Sequence, residues 1–328
     1  MRLGRIVRLL MDHATVVASG TKIAAEIGTS RSEVWRLIQQ LRGLGVDVAG
    51  HPATGYRLRA VPDLLLPEMI GPLVKGTIFA QDHAKQIHHY YKIGSTNSEA
   101  MKAAAEDAPE GSVFLAEEQL GGRGRGTHTW HSARSAGIYC SVILRPPVPP
   151  SDALLLSLAA GLAAGAAVSE VTQIAVDLKW PNDLLCGGKK FCGILTEMNA
   201  EATRVRYLVV GIGVNVNQAK FPAELREIAT SLRLETGTEW SRVELCAALL
   251  KSLDREYRLL LNDGGAARGS VLKRFEENSS SVRGGKVQVD ENGQLAGTTE
   301  GLDARGFLQV RTGGSLRTVL SGTVRVIG

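Results

Sequence analysis

No Cys-x-x-Cys pair occurs in the 328 residues, and Cys140, Cys186, Cys192 and Cys246 follow no disulfide framework. Their spacing excludes a stapled secreted scaffold and a zinc ribbon, and free thiols in a reducing compartment are expected. His83, His88, His89, His128 and His131 show no metal-ligand arrangement, so no protein-held metal is expected. No N-terminal stretch has the charged, apolar and cleavage-site succession of a signal peptide. The longest apolar run, residues 153–168, is interrupted by Ser157, and it falls short of the roughly 20 residues a bilayer demands. It reads as a buried helix, and a cytoplasmic protein with no membrane partner is expected. Two nucleotide-binding signatures are also missing. There is no Gly-x-x-x-x-Gly-Lys-Ser/Thr, and the glycines at 211 and 213 lack the third glycine and following helix of a dinucleotide fingerprint. What remains is an ordinary globular composition, 44% hydrophobic and 22% charged, with length for two or three domains.

Charge is placed unevenly. Residues 1–60 hold nine arginines and lysines against four acids, a surplus equal to the whole chain's net charge of +5. Any nucleic-acid contact therefore belongs to the first domain. Leu3, Ile6, Val7, Leu10 and Met11 recur at helical spacing, a second short helix fits residues 21–27, and Gly28-Thr29-Ser30 makes a turn. Ser30 or Ser32 can cap a third helix to about residue 44, which buries Val34, Leu37, Ile38 and Leu41. Arg31, Ser32, Trp35 and Arg36 then face outward. Residues 46–48 and 55–58 form a hairpin carrying Arg57 and Arg59. This is a winged helix-turn-helix, whose third helix enters a major groove while the hairpin touches phosphates. A helical module for protein contacts is the plainer alternative.

Past prolines near residue 62 a second body begins. Residues 87–93 read as a strand, and Gly94-Ser95-Thr96-Asn97-Ser98 caps an alanine-rich helix over 99–106. The hydroxyls of Ser95 and Thr96 are caps, or hydrogen-bond a urea-like group. Residues 112–117 form another strand, leading through Gln119 into Gly121-Gly122-Arg123-Gly124-Arg125-Gly126-Thr127-His128-Thr129-Trp130. Four glycines with two arginines make a loop, because glycine weakens helix and strand alike. Bare backbone approaches an anion closely and guanidinium forks hold carboxylate or phosphate, so the run reads as a mobile lid over a small acidic ligand. Further on, Lys179-Trp180-Pro181-Asn182-Asp183 makes a fixed corner between strands, and Lys190 opens the next strand beside a hairpin turn.

These motifs resemble, in order, those of the bifunctional biotin protein ligase and biotin operon repressor family over nearly the whole chain. The carrying elements are Gly-Ser-Thr-Asn at 94–97, Gln119 with Gly-Arg-Gly-Arg at 122–125, Lys-Trp-Pro-Asn-Asp at 179–183, Lys190 with Gly-Ile-Leu at 193–195, and Gly-Ile-Gly-Val-Asn at 211–215. The resemblance implies an α+β chain: an N-terminal winged helix-turn-helix over 1–63, a mixed-sheet, class II synthetase-like (biotin/lipoate ligase) catalytic domain over 64–279, and a C-terminal SH3-like β-barrel over 280–328. It implies that biotin and ATP, brought with Mg2+, form biotinyl-5'-adenylate, and that biotin then passes to a lysine of a biotin carboxyl carrier protein. Ser95, Thr96, Asn97 and Gln119 would hold biotin, with Arg123, Gly124, Arg125 and Lys190 on its carboxylate and the phosphate. Gly122, Trp130, Asn182, Gly193 and Asn215 would surround the adenylate, and Arg125, Lys190 and Asp183 would be catalytic. A DNA operator and, once adenylate is loaded, a second copy of the chain would be partners. One departure is visible: the family's loop often carries a further glycine and arginine where this chain has Thr127 and His128, which predicts weaker retention of the adenylate. A biotin sensor without turnover and a lipoate ligase are the competing readings.

The tail opens with an amphipathic helix over 241–261, continued at 271–277. Short alternating strands then fall at 286–289, 294–301, 306–311 and 317–327, which suits the small barrel.

Overall fold

The computed structural model describes residues 2–12, 17–81, 86–262, 264–290 and 294–327. His83 lies outside them. In the first domain, helices α1 (Arg2–Asp12), α2 (Gly20–Ile27) and α3 (Arg31–Gly43) surround one apolar core, and strands β1 (Val48–His51) and β2 (Gly55–Leu58) form the wing. Ser30 is the cap of α3, its Oγ accepting from the Glu33 N–H at 3.2 Å, while Ser32 only meets the Ser30 hydroxyl.

An extended linker joins this domain to the next, and its side chains alternate. Leu64 and Leu66 enter the first core, whereas Leu65 enters the second. Period-two alternation thus nails one strand-like segment into two cores. The proline-rich boundary conceals a short helix, α4 (Pro67–Leu73), that the sequence reading missed because Pro67 and Pro72 both lie within it. Pro67 is tolerated in the first turn, where its missing N–H has no helical partner.

The central sheet has seven strands in the order β3 (Ile87–Tyr90), β4 (Val113–Ala116), β5 (Gly137–Leu144), β9 (Val205–Asn215), β8 (Lys189–Ala200), β7 (Asp183–Cys186) and β6 (Asp177–Lys179). Only β3 and β4 run parallel, so the sheet is mixed. Helix α5 (Thr96–Ala105) begins at the Ser95 cap, three residues earlier than expected. Helix α6 (Ala153–Thr172) runs on past residue 168 to 20 residues, long and apolar enough to cross a bilayer. Its surface is instead taken up by α8 (Arg242–Asn262) and by the sheet, where Gly161 lies near Ile194 and Gly165 near Leu178 and Leu184. Short helix α7 (Leu232–Thr236) precedes α8, and α9 (Gly264–Glu277) is a separate helix.

The tail is a five-stranded antiparallel sheet in the order β13 (Ser315–Val319), β12 (Leu308–Thr312), β11 (Gln294–Leu302), β10 (Arg283–Asp290) and β14 (Thr323–Val326). Val287, Val289, Leu308, Val310 and Val324 join the same apolar cluster as the central domain. The indole N–H of Trp180 donates to the Gly306 carbonyl at 2.8 Å, tying the tail to the Trp-Pro-Asn-Asp corner.

Candidate active site

Strands β5, β8 and β9, parts of β6 and β7, the start of α5 and the glycine-arginine loop enclose a cavity of about 650 Å³. At one end lies a buried polar set. Ser95 caps α5, its Oγ accepting from the Ser98 N–H at 3.4 Å, which presents Thr96 at the first helical position. The Thr96 N–H donates to Gln119 Oε1 at 2.8 Å, with Thr96 Oγ1 3.1 Å from the same oxygen, and Gln119 Nε2 donates to Ser132 Oγ at 2.8 Å. Ser141 lies 2.6 Å from Asn97 Oδ1 and 2.8 Å from Thr96 Oγ1. Ser141 was invisible to motif reading, although it is the only hydroxyl in the otherwise apolar run 140–144 and is fully buried. A buried hydroxyl must find partners, and here it finds two residues of the cavity wall.

The loop is folded back on itself. Trp130 N–H donates to Gly122 O, Gly124 N–H to His128 O (both 2.8 Å), and Arg123 bridges Thr129 antiparallel. Gly126 turns with φ +60°, a conformation that glycine adopts without steric cost. Gly122, expected at the adenylate, is off the cavity wall: a Cβ there would stand 2.5 Å from the Trp130 carbonyl, so this glycine answers to the hairpin. Every other expected biotin- and adenylate-site residue, and Asp183, lines the cavity.

Trp130 lies over two glycines that pair across β8 and β9, Gly193 and Gly213. A Cβ on Gly213 would come 2.5 Å from Trp130 Cε2, and one on Gly193 2.9 Å from Cζ3. Gly193, expected at the adenylate, and Gly213 make room for the indole. The indole Nε1 is buried and makes no hydrogen bond among the described residues.

Lys190 is set by its backbone. Its N–H donates to Ile228 O and its carbonyl accepts from Thr230 N–H, both at 2.9 Å, and a bulge between β7 and β8 shifts the register beside it. Bulges re-aim side chains, and Nζ here meets Asp183 Oδ1 at 2.6 Å and sits 5.4 Å from the Trp130 ring centroid. Arg125 Nη1 donates to Asn182 Oδ1 at 3.3 Å, while Asn182 Nδ2 donates to the Ile194 carbonyl at 2.9 Å. Burial pulls the Arg125 pKa down, and the negative Asp183 partly opposes this. Arg123 instead forms a two-armed pair with Glu197 at 3.0 and 2.8 Å. Asn215 has its amide occupied by Thr230 O (3.0 Å) and Gln218 Nε2 (3.1 Å), so it braces the wall. From the tail, Gly322, Val324 and Arg325 reach the cavity, which no motif had signalled. Of the described His, Cys, Asp and Glu side chains, no three converge as a metal cage.

On the first domain, Arg31, Ser32, Trp35 and Arg36 form one exposed face of α3, and Arg57 is exposed on the wing. Trp35 is 48% exposed, Arg31 donates to the Pro52 carbonyl at 3.1 Å, and Arg36 is doubly bonded to Glu33.

Residues 91–215 match the model of the biotin/lipoate A/B protein ligase family, residues 2–57 an HTH domain and residues 286–326 the biotin protein ligase C-terminal domain. The chain is 34% identical to the bifunctional ligase/repressor BirA of Bacillus subtilis (strain 168), across 98% of this chain and 97% of that one. To the Escherichia coli (strain K12) bifunctional ligase/repressor BirA it is 28% identical, over 93% and 92%. To the biotin–[acetyl-CoA-carboxylase] ligase of Mycobacterium tuberculosis (strain H37Rv) it is 33% identical, over 73% and 88%. The biotin protein ligase from Aquifex aeolicus in complex with biotin and ATP superposes with a TM-score of 0.65 at 28% identity, covering 74% of this chain and all of that one. With full-length likeness and all three domains in order, the chain belongs to the bifunctional ligase/repressor branch of the biotin protein ligase family.

Proposed function

We propose that this chain condenses biotin with ATP into biotinyl-5'-adenylate and pyrophosphate, then passes biotin to a lysine of the carboxyl carrier protein of acetyl-CoA carboxylase. One observation supports this above others: a neutral, hydrogen-bonding end and a cationic end open into the same cavity. Biotin has those two ends, a cyclic urea and a carboxylate. Ser95, Thr96 and Gln119 serve the urea, and Arg125 and Lys190 serve the carboxylate and the α-phosphate.

In the first step a carboxylate oxygen attacks the α-phosphorus, the bond to the β-phosphate oxygen breaks, and pyrophosphate leaves. Negative charge gathers between acid and phosphate, so fixed cations there lower the barrier. Lys190 exchanges Asp183 for this charge. Asp183 is then available in the second step to orient the carrier amine or accept its proton as the amine attacks the acyl carbon and AMP departs. Trp130, Asn182 and Gly193 flank the adenylate, and Arg325 adds a cation from the tail. Asp183 and Glu227 are the carboxylates on the wall, too few for a cage, so Mg2+ would ride on the triphosphate oxygens.

The first domain binds an operator through Arg31, Ser32, Trp35, Arg36 and Arg57, and the adenylate-loaded chain acts as a repressor dimer joined through edge strands of the central sheet. Domain limits at 63/64 and 279/280 and a cytoplasmic site of action complete this reading. Incubation with biotin, ATP and a carrier domain tests it: biotin-dependent pyrophosphate release followed by carrier labelling is expected. Adenylate without transfer would favour a sensor, and activity with lipoate alone a lipoate ligase.

A further inference from the structure

Glu197 stands at the outer end of β8 with no role assigned by the motifs. Its carboxylate accepts from Asn97 Nδ2 at 3.0 Å and from Arg123 through both Nη atoms. A carboxylate only accepts, so the Asn97 amide must turn its nitrogen to Glu197 and its oxygen to Ser141. Asn97 is 4% exposed, and the other group near its nitrogen, the Leu195 carbonyl at 3.4 Å, is likewise an acceptor. The single Ser141 proton can serve only one of its two acceptors, Asn97 Oδ1 at 2.6 Å or Thr96 Oγ1 at 2.8 Å, and with the amide held this way it goes to Asn97. Thr96 Oγ1 gives its own proton to Gln119 Oε1 at 3.1 Å, beside the Thr96 N–H at 2.8 Å. Thr96 Oγ1 is left on the cavity wall with its proton spent and its lone pairs unused.

We propose that Glu197 is a positioning residue: through Asn97 and Ser141 it fixes Thr96 Oγ1 as an acceptor for a ligand N–H, and with the same carboxylate it latches Arg123 of the loop. The inference deepens the biotin reading and rests on it, since a cyclic urea presents N–H donors. It also divides the two loop arginines. Arg123 is committed to the latch, and Arg125 is the one directed at the reacting centre.

Glu197→Gln tests the relay, because a glutamine amide offers donor and acceptor and lets Asn97 turn over. In biotin-dependent pyrophosphate release, KM for biotin should rise about tenfold, with kcat and KM for ATP within twofold. The exchanged pair Asn97→Asp with Glu197→Gln restores an obligate acceptor beside Ser141 and should bring KM for biotin back to within about threefold. A folded Glu197→Gln protein with unchanged KM for biotin, or an exchanged pair that recovers nothing, overturns the proposal. So does a joint decline of kcat, both KM values and melting temperature, which marks a purely structural role. If the wild type released no pyrophosphate with biotin, the biotin reading would fail. The relay would then stand or fall on whether the Asn97 side-chain amide resonance moves in Glu197→Gln.

Discussion

Arg242 and Lys190 are both cations paired with carboxylates in the central domain, and they differ in what surrounds the pair. Arg242 is 1% exposed and holds Glu117, Asp63 and the Gly137 carbonyl. Its principal partner Glu117 is fully buried and also accepts from Leu65 N–H, Ser135 Oγ and the His89 ring. Lys190 has one carboxylate partner and keeps a third of its side chain exposed. A saturated buried cluster cannot release a member without stranding a charge, whereas a half-open pair can exchange its partner at little cost. The first therefore clamps the linker residues Asp63 and Leu65 to strand β4 and helix α8, and the second supplies a movable charge.

Breaking the first cluster should give the largest effect. Arg242→Met strands Glu117 and should cost about 3–5 kcal/mol of unfolding free energy, read from urea or thermal melts, with activity lost only as the fold is lost. A melt unchanged from wild type would show that the cluster is not a clamp. The same cluster predicts an acid limb. Burial alone would raise the Glu117 pKa, but the His89 hydrogen bond, Arg242 and the Leu65 N–H bring it down to about 2. Its folded value lies below the ordinary 4.5, so its contribution is complete above that pH and drains away as pH falls towards 2. Glu117→Gln should flatten the fall of stability across that window, followed by circular dichroism at stepped pH.

Lys190→Met should do the reverse. Removing one fixed donor from a developing anion costs on the order of 10²- to 10³-fold in kcat, and here the melting temperature should hold within a few degrees. If the two variants lost activity and stability in the same proportion, the distinction between clamp and movable charge would dissolve.

The two clusters were also unequally legible. Lys190 and Asp183 belong to short runs whose chemistry can be read locally, as do Ser95, Thr96 and Gln119. Arg242 and Glu117 are 125 residues apart, joined only by the packing of α8 on the sheet, and nothing near either announces a partner. Glu197 and Ser141 escaped for the same reason, since their meaning lies in Asn97 and Arg123, brought in by other elements. The fold was more transparent, because helical and strand periodicity and capping residues are local signals. Its misses, the α4 helix and the earlier start of α5, fall where proline and cap signals obscured the boundary. Gly193 and Gly213 show the limit well: their motif was recognised, yet only the overlying Trp130 explains the missing side chains.

That explanation gives a smaller, sharper test of the open region. Gly213→Ala places a methyl 2.5 Å from the Trp130 ring, on backbone that alanine can adopt, so the indole must shift. KM for ATP should rise about tenfold while biotin binding, governed by the polar end, changes less than threefold. Equal changes for both substrates in steady-state pyrophosphate assays would show that Trp130 does not serve the nucleotide end selectively.

The smallest effect is expected where the loop departs from its family. His128 contributes its carbonyl to the Gly124 N–H, a bond any residue can make, while its side chain is exposed on the cavity rim. His128→Arg therefore adds a permanent cation to the flap without disturbing its hairpin. At an exposed position the added attraction to a phosphate is strongly screened, so the gain should be severalfold, not orders of magnitude. Dissociation of preformed adenylate should slow accordingly at low ionic strength, and the gain should shrink as salt is raised. Equal rates for the two proteins at low salt would mean that adenylate retention is set by Arg125 and by the Arg123–Glu197 latch, with the charge at position 128 irrelevant.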